Sequence, residues 1–239
     1  MNELYQTPYI VLPGASDASG RLGLHSAFSV FMDLATVHAD LLGFGYRDLV
    51  KRGLFWLTVK TKVHFEERPR MGDEVMLRTW PEAPGKVRCN RSYEILRDGV
   101  TLVRGKTEWA VINTATQELV PIDGIYPEGL ALDRPTACAE PFARIRDNFD
   151  GAAPYAEYRV RSIDIDVGGH MNNAAYVREL IASFSNSELK AMGVRDIDVI
   201  FRKPCYEGDV LSFCRRDTED GIDVRVSKDG ETVLLARLA

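Results

Sequence analysis

Little in this sequence would organise a metal or a disulfide scaffold. The four cysteines, Cys89, Cys138, Cys205 and Cys214, lie far apart and form no CxxC pair. That excludes the common zinc-ribbon and redox-dithiol spacings and leaves reduced thiols in a cytoplasmic protein as the expectation. No other His, Cys or carboxylate cluster has ligand spacing, so neither metal nor cofactor is expected. Basic charge is not in excess either: the formal net charge is −5, which argues against wrapping nucleic acid through bulk electrostatics. No apolar run reaches the length of a membrane span, and the opening MNELYQTPYIVLPGASD lacks a basic region followed by a long apolar core. Neither a span nor a secretory leader is therefore expected. GVTLVRGKT, from Gly99, has the wrong glycine spacing for a phosphate loop and sits inside a hairpin pattern.

What is present is a core and a repeat. Hydrophobic residues make up 45% of the 239 positions, enough to bury one large domain or two small ones. YIVLPGASDASGRLGLH reads as extended chain. It leads into SAFSVFMDLATVHADLLGFG, where Phe28, Phe31, Met32, Ala35, Leu41 and Leu42 recur near helical spacing before Gly43 and Gly45 end the helix. Strand patterns follow at LFWLTVKTKVHF, EVMLRTW, VRCNRSYEIL and TLVRGKTEWAVIN, the last two joined by Asp98-Gly99. The order then recurs: strand YAEYRVRSIDI, helix NAAYVRELIASF, and strands VRDIDVIFRK, DVLSFCRRD, GIDVRVSKD and GETVLLARLA, with a second Asp-Gly turn at Asp229-Gly230. FEERPRMGDEV and FRKPCYEGDV also match in their Phe, Pro and Gly-Asp.

One long helix followed by antiparallel strands, twice, predicts an α+β fold of two tandem hotdogs, each a helix wrapped by its sheet. The expected division is 1–120, a Pro-, Gly- and Asp-rich linker 121–153, and 154–239. Two fused hotdogs can satisfy their own pairing, so a monomer or a homodimer is compatible with the pattern.

The stretch DIDVGGHMNNAAYV carries the chemistry. Asp166, Gly168, Gly169 and His170 precede Asn172, Asn173 and Tyr176 at the mouth of the second helix. With Gly43-Phe44-Gly45, Trp109 and CYEGDVLSF, it resembles the acyl-acyl carrier protein thioesterases, double-hotdog enzymes of plants and bacteria that end fatty acid synthesis. The resemblance runs along nearly the whole chain. It implies hydrolysis of a fatty acyl thioester on acyl carrier protein, with Asp166 and His170 catalytic. Members usually read Asp-x-Asn-x-His, and here Gly168 stands at the asparagine position; Pro204 stands where many members have Glu before Cys205.

Thioester hydrolysis needs a polarised carbonyl, a positioned nucleophile and a proton route. Backbone N–H groups near Gly169 and His170, at a helix start, suit a developing oxyanion. Two routes stay open. Asp166 and His170 position and deprotonate water, or His170 activates Cys205 as nucleophile. Asn172 or Asn173 either caps the helix or touches substrate. The resemblance places the acyl chain in the first half, with Phe28, Phe31, Met32, Phe55 and Trp56 as candidate lining.

Of the remaining histidines, His25 stands roughly where His170 does in the second half, while His38 and His64 are expected to pack or face solvent. Docking of an acidic carrier would use local basic pairs: Arg88 with Arg91, Arg159 with Arg161, or Arg202 with Lys203. Acyl-CoA thioesterase, hydratase or dehydratase activity, and non-catalytic acyl-thioester binding, are the alternatives on this fold.

Overall fold

Helix α1 (Leu24–Leu41) buries Leu24, Ala27, Phe28, Phe31, Leu34, Ala35 and His38, a stripe at helical spacing that lies against a sheet. Burying a side chain such as Phe31 contributes about 1.5–3 kcal/mol. Leu41, expected on that stripe, is 67% exposed, because the last turn rotates it away just before Gly43 takes a φ of +79°. In the computed structural model, which describes residues 3–239, the chain divides into two units, Met1–Glu140 and Pro141–Ala239.

The first unit comprises β1 (Tyr5–Ile10), α1, α2 (Tyr46–Lys51), β2 (Leu54–Phe65), β3 (Glu74–Pro81), β4 (Cys89–Arg97), β5 (Val100–Asn113) and β6 (Leu119–Val120). Its antiparallel sheet runs β1-β3-β4-β5-β2, with β6 added on β5. The inner face of the sheet meets α1, where Phe31 stacks on Tyr93 at 4.6 Å. Gly105, opposite Tyr93, allows that approach: a Cβ there would lie 2.7 Å from Phe31 Cε2 and 2.8 Å from the Lys62 carbonyl oxygen.

The second unit repeats the plan with β7 (Ala156–Arg159), α3 (Asn173–Ala182), α4 (Asn186–Met192), β8 (Asp196–Phe201), β9 (Val210–Thr218), β10 (Gly221–Lys228) and β11 (Glu231–Leu238). Its antiparallel order is β8-β11-β10-β9-β7, the first unit's order retraced. Each unit is a hotdog, and the fold is α+β as the sequence pattern predicts. Both Asp-Gly hairpins form with positive φ at each turn residue, 52° and 80° at Asp98-Gly99 and 50° and 82° at Asp229-Gly230.

Two local readings change. The extended run expected from Tyr9 stops at Ile10, since Pro13–Ala15 turns as a short 3-10 segment and Asp17 folds the following residues into a loop. Segment 121–153 is irregular yet packed. Ile122, Ile125 and Leu130 join Phe44, Leu49 and Leu54 in a cluster of the first unit, and Ile145 and Phe149 pack with Cys214 and Leu235 in the second.

Candidate active site

The loop before α3 is a tight reversal closed at its base. Ile165 and Met171 bridge, Asp166 N–H donates to the His170 carbonyl at 2.9 Å, and Gly169 N–H donates to the Asp166 carbonyl at 3.0 Å. Gly169 has φ +77°, a conformation that only glycine adopts cheaply. Asp166 Oδ1 accepts from Gly168 N–H at 2.8 Å. Its Oδ2 has no protein partner among the described residues, and the Val167 and His170 amides make no hydrogen bond there. Of the two amides expected near an oxyanion, Gly169 is thus already committed and His170 is open.

Asn172 caps α3: its side chain accepts from Ala174 N–H at 2.7 Å, and Asn173 is the first helical residue. Met171 N–H donates to the Cys205 carbonyl at 2.8 Å, which ties the loop to the segment before β9. The Cys205 thiol is fully buried and lies beside the Tyr176 hydroxyl, whose own hydrogen bond runs to the Lys203 carbonyl. Burial pushes that thiol up from its ordinary value, and nearby Asp209 adds to the effect against the Tyr176 hydrogen bond. Among the described residues, no hydrogen bond joins it to the His170 ring. The His170 ring instead packs on Tyr206, centroids 5.2 Å apart, with Lys228 Nζ 5.6 Å beyond that ring and paired to Asp209 at 2.8 Å.

Asp164 escaped the sequence reading. It is 1% exposed and accepts from Tyr158 Oη and Arg161 N–H, each at 2.7 Å, and from Arg178 on α3. Burial alone would raise its pKa, but these bonds outweigh burial and hold it below the usual carboxylate range. It anchors the base of the loop, where its carbonyl also receives Asn172 N–H at 2.7 Å. The Asp-x-x-x-x-x-x-x-Asn separation that places it there has no recognisable motif. Ile163 and Val167, 78% and 77% exposed, rim the loop with apolar surface.

The first unit contains the same loop. Ser16 bridges Leu22, Gly20 N–H donates to the Asp17 carbonyl at 2.9 Å, Asp17 Oδ1 accepts from Ser19 N–H at 2.8 Å, and Gly20 has φ +68°. The residue matching His170 is therefore Arg21; His25, expected there, lies inside α1 against Ser26. The echo SDASGR against IDVGGH was the available signal. Here, however, the carboxylate is tied down: Arg68 donates to Asp17 Oδ2 and to the Leu22 carbonyl, and Arg21 Nη1 donates to the Arg68 carbonyl at 2.9 Å. In the turn that follows, Gly72 and Gly208 both have φ +90°, and with these aligned Arg68 corresponds to Pro204.

The candidate chain-lining residues do not share one surface. Phe28 and Phe31 are buried in the α1 stripe and Met32 is half-buried. Trp56 packs with Phe44 and Trp109, whereas its neighbour Phe55 points to the opposite side of β2 and meets Tyr46 at 6.1 Å. Among the basic pairs, Arg91 is only 5% exposed and cannot serve a docking face; it lies inside the first unit because β4 turns it under α1. Arg202 pairs with Asp147 and Lys203 with Glu231.

Residues 2–127 match the family model of the acyl-ACP thioesterase N-terminal domain, and residues 150–234 that of the C-terminal domain. The chain belongs to the acyl-ACP thioesterase family. Among curated proteins, it is 26% identical to palmitoyl-acyl carrier protein thioesterase of Arabidopsis thaliana over 72% of this chain and 44% of that one. It is 22% identical to oleoyl-acyl carrier protein thioesterase 1 of the same plant, over 90% and 64%. The chain thus spans about half the length of the curated thioesterases it matches. Similar solved structures share the double-hotdog fold. An acyl-ACP thioesterase from Bacteroides thetaiotaomicron has TM-score 0.87 at 23% identity, covering 99% of this chain and 97% of that one. The 12:0-ACP thioesterase from Umbellularia californica has TM-score 0.84 at 19% identity, covering 100% and 97%. No helix among the described residues is long and apolar enough to cross a membrane.

Proposed function

We propose that the protein hydrolyses fatty acyl-acyl carrier protein to free fatty acid and carrier thiol, at the loop Asp166–His170. The observation that carries this is the difference between the two loops. The Asp17 carboxylate is consumed by Arg68, while Asp166 Oδ2 and the His170 amide have no hydrogen-bond partner among the described residues, at a helix mouth rimmed by Ile163 and Val167.

The thioester carbonyl would accept from the His170 amide, with the α3 N-terminus adding to the stabilisation of developing negative charge. Asp166 Oδ2 would hold the attacking water and take its proton. The His170 imidazole, oriented by Tyr206, would assist by passing a proton to the departing sulfur. Water is favoured over Cys205 as nucleophile because that thiol is buried, raised in pKa and paired with Tyr176.

Thiol release from a panel of acyl-carrier and acyl-CoA substrates tests the reading. Hydrolysis favouring the carrier-bound series supports it; a preference for CoA, water addition to an enoyl thioester, or tight binding without thiol release would each select one of the other activities compatible with the fold.

A further inference from the structure

The inner face of the first unit's sheet is not uniformly apolar. Cys89, Arg91 and Tyr93 alternate along β4 beneath α1, and their partners on β5 are Trp109, Thr107 and Gly105. Arg91 is 5% exposed, yet its hydrogen bonds go to neutral groups: Nη1 reaches His38 Nδ1 at 3.0 Å and Thr79 Oγ1 at 3.3 Å. No carboxylate pairs with it, and its Nε and Nη2 have no partner among the described residues. A buried guanidinium without a counter-charge is costly to maintain. Beside it, the hydroxyl of fully buried Tyr93 and the Trp109 indole N–H lie near each other and near Thr107, but neither makes a hydrogen bond of normal geometry among the described residues. Donors therefore outnumber well-placed acceptors here, and the positive charge has no counter-charge.

The same place borders apolar surface. Cys89 and Trp109 belong to the cluster of Phe44, Leu49, Leu54, Val111 and Ile122. We propose that this inner face recognises a carboxylate carried on an aliphatic chain, with Arg91 as the cation, Tyr93 and Trp109 as neutral donors, and the Phe44 cluster against the chain. A carboxylate matches a planar guanidinium, is ionised at neutral pH, and is the anion that an aliphatic chain beside the Phe44 cluster would carry. A simple alkyl terminus would leave Arg91 Nε and Nη2 unpaired and its charge uncompensated. The carboxylate has two chemical sources, a free fatty acid or an acyl thioester whose far end is carboxylated.

The test is calorimetric binding to the full chain, read independently of hydrolysis, so its result and that of the thiol-release assay stand apart. Dodecanoate is expected to bind at least about tenfold more tightly than dodecan-1-ol, consistent with the strength of a charge-assisted bond. Arg91→Met should abolish that preference, and Tyr93→Phe should reduce it. Tighter binding of the dodecanedioic acid monothioester of pantetheine than of dodecanoyl-pantetheine assigns the carboxylated thioester as the source. Preference confined to dodecanoate assigns the free acid. Equal binding of acid and alcohol by wild type overturns the proposal, as does an unchanged preference in folded Arg91→Met. Circular dichroism reports folding; if Arg91→Met is unfolded, an unchanged preference in Tyr93→Phe overturns it instead.

Discussion

Arg68 closes on the carboxylate of Asp17, and in the second unit Pro204 is the residue aligned with Arg68. One loop geometry therefore occurs twice with opposite electrostatics. Asp166→Asn is expected to lower kcat by about 10²–10⁴, the usual worth of a positioned acid or base. Asp17→Asn should instead lower stability by about 1–3 kcal/mol through the lost charged bonds, and turnover per folded molecule should persist. Pro204→Arg should bring the clamp to the second loop and depress kcat while leaving the melting temperature near wild type. Full activity in Asp166→Asn would remove the assignment.

Cys205 gives a sharper separation of the two chemical routes. Cys205→Ala should keep kcat within about tenfold of wild type, because only a small buried side chain is trimmed. Iodoacetamide should label this position in the denatured chain and not in the native one, since the thiol is fully buried. A loss approaching that of Asp166→Asn would restore the nucleophilic route.

Asp164 should make the second unit acid-sensitive. Its folded pKa is below the reference 3.8, so its ionised form contributes stability that is fully present above about pH 4 and lost as pH falls through the lower folded value. Equilibrium unfolding between pH 5 and about pH 2 should show this slope in wild type and a flatter one in Asp164→Asn. Arg178→Met leaves the carboxylate buried without its cation and is expected to cost about 3 kcal/mol at neutral pH. A neutral-pH stability equal to wild type would show that Tyr158 and Arg161 suffice.

Gly105→Ala tests the packing of α1. Its methyl would overlap Phe31 and the Lys62 carbonyl, and the expected destabilisation is about 1–3 kcal/mol by denaturant titration. Phe31→Leu in the same background should recover part of it, because the obstruction is partly the flexible ring.

Much of the fold was legible because strand and helix periods are local: Leu54–Phe65 was bounded correctly from alternation and its neighbours alone, and both Asp-Gly turns announced themselves. The doubled order of elements was legible for the same reason. Arg91 was not, since a basic residue in an alternating strand carries no mark of which face is enclosed. Asp164 was invisible because its partners, Tyr158, Arg161 and Arg178, come from separate local structures with no common spacing. The place of Arg21 was hidden by the expectation that a histidine should match a histidine, whereas the backbone hydrogen bonds align Asp17 and Gly20 with Asp166 and Gly169.

The repeated loop also makes the molecule its own control. Gly20 and Gly169 donate the same backbone bond to Asp17 and Asp166 at nearly the same length. Their amide exchange rates, read in one sample at one temperature, differ chiefly by what surrounds them. The ratio is a direct meter of how much a single guanidinium slows the opening of a turn.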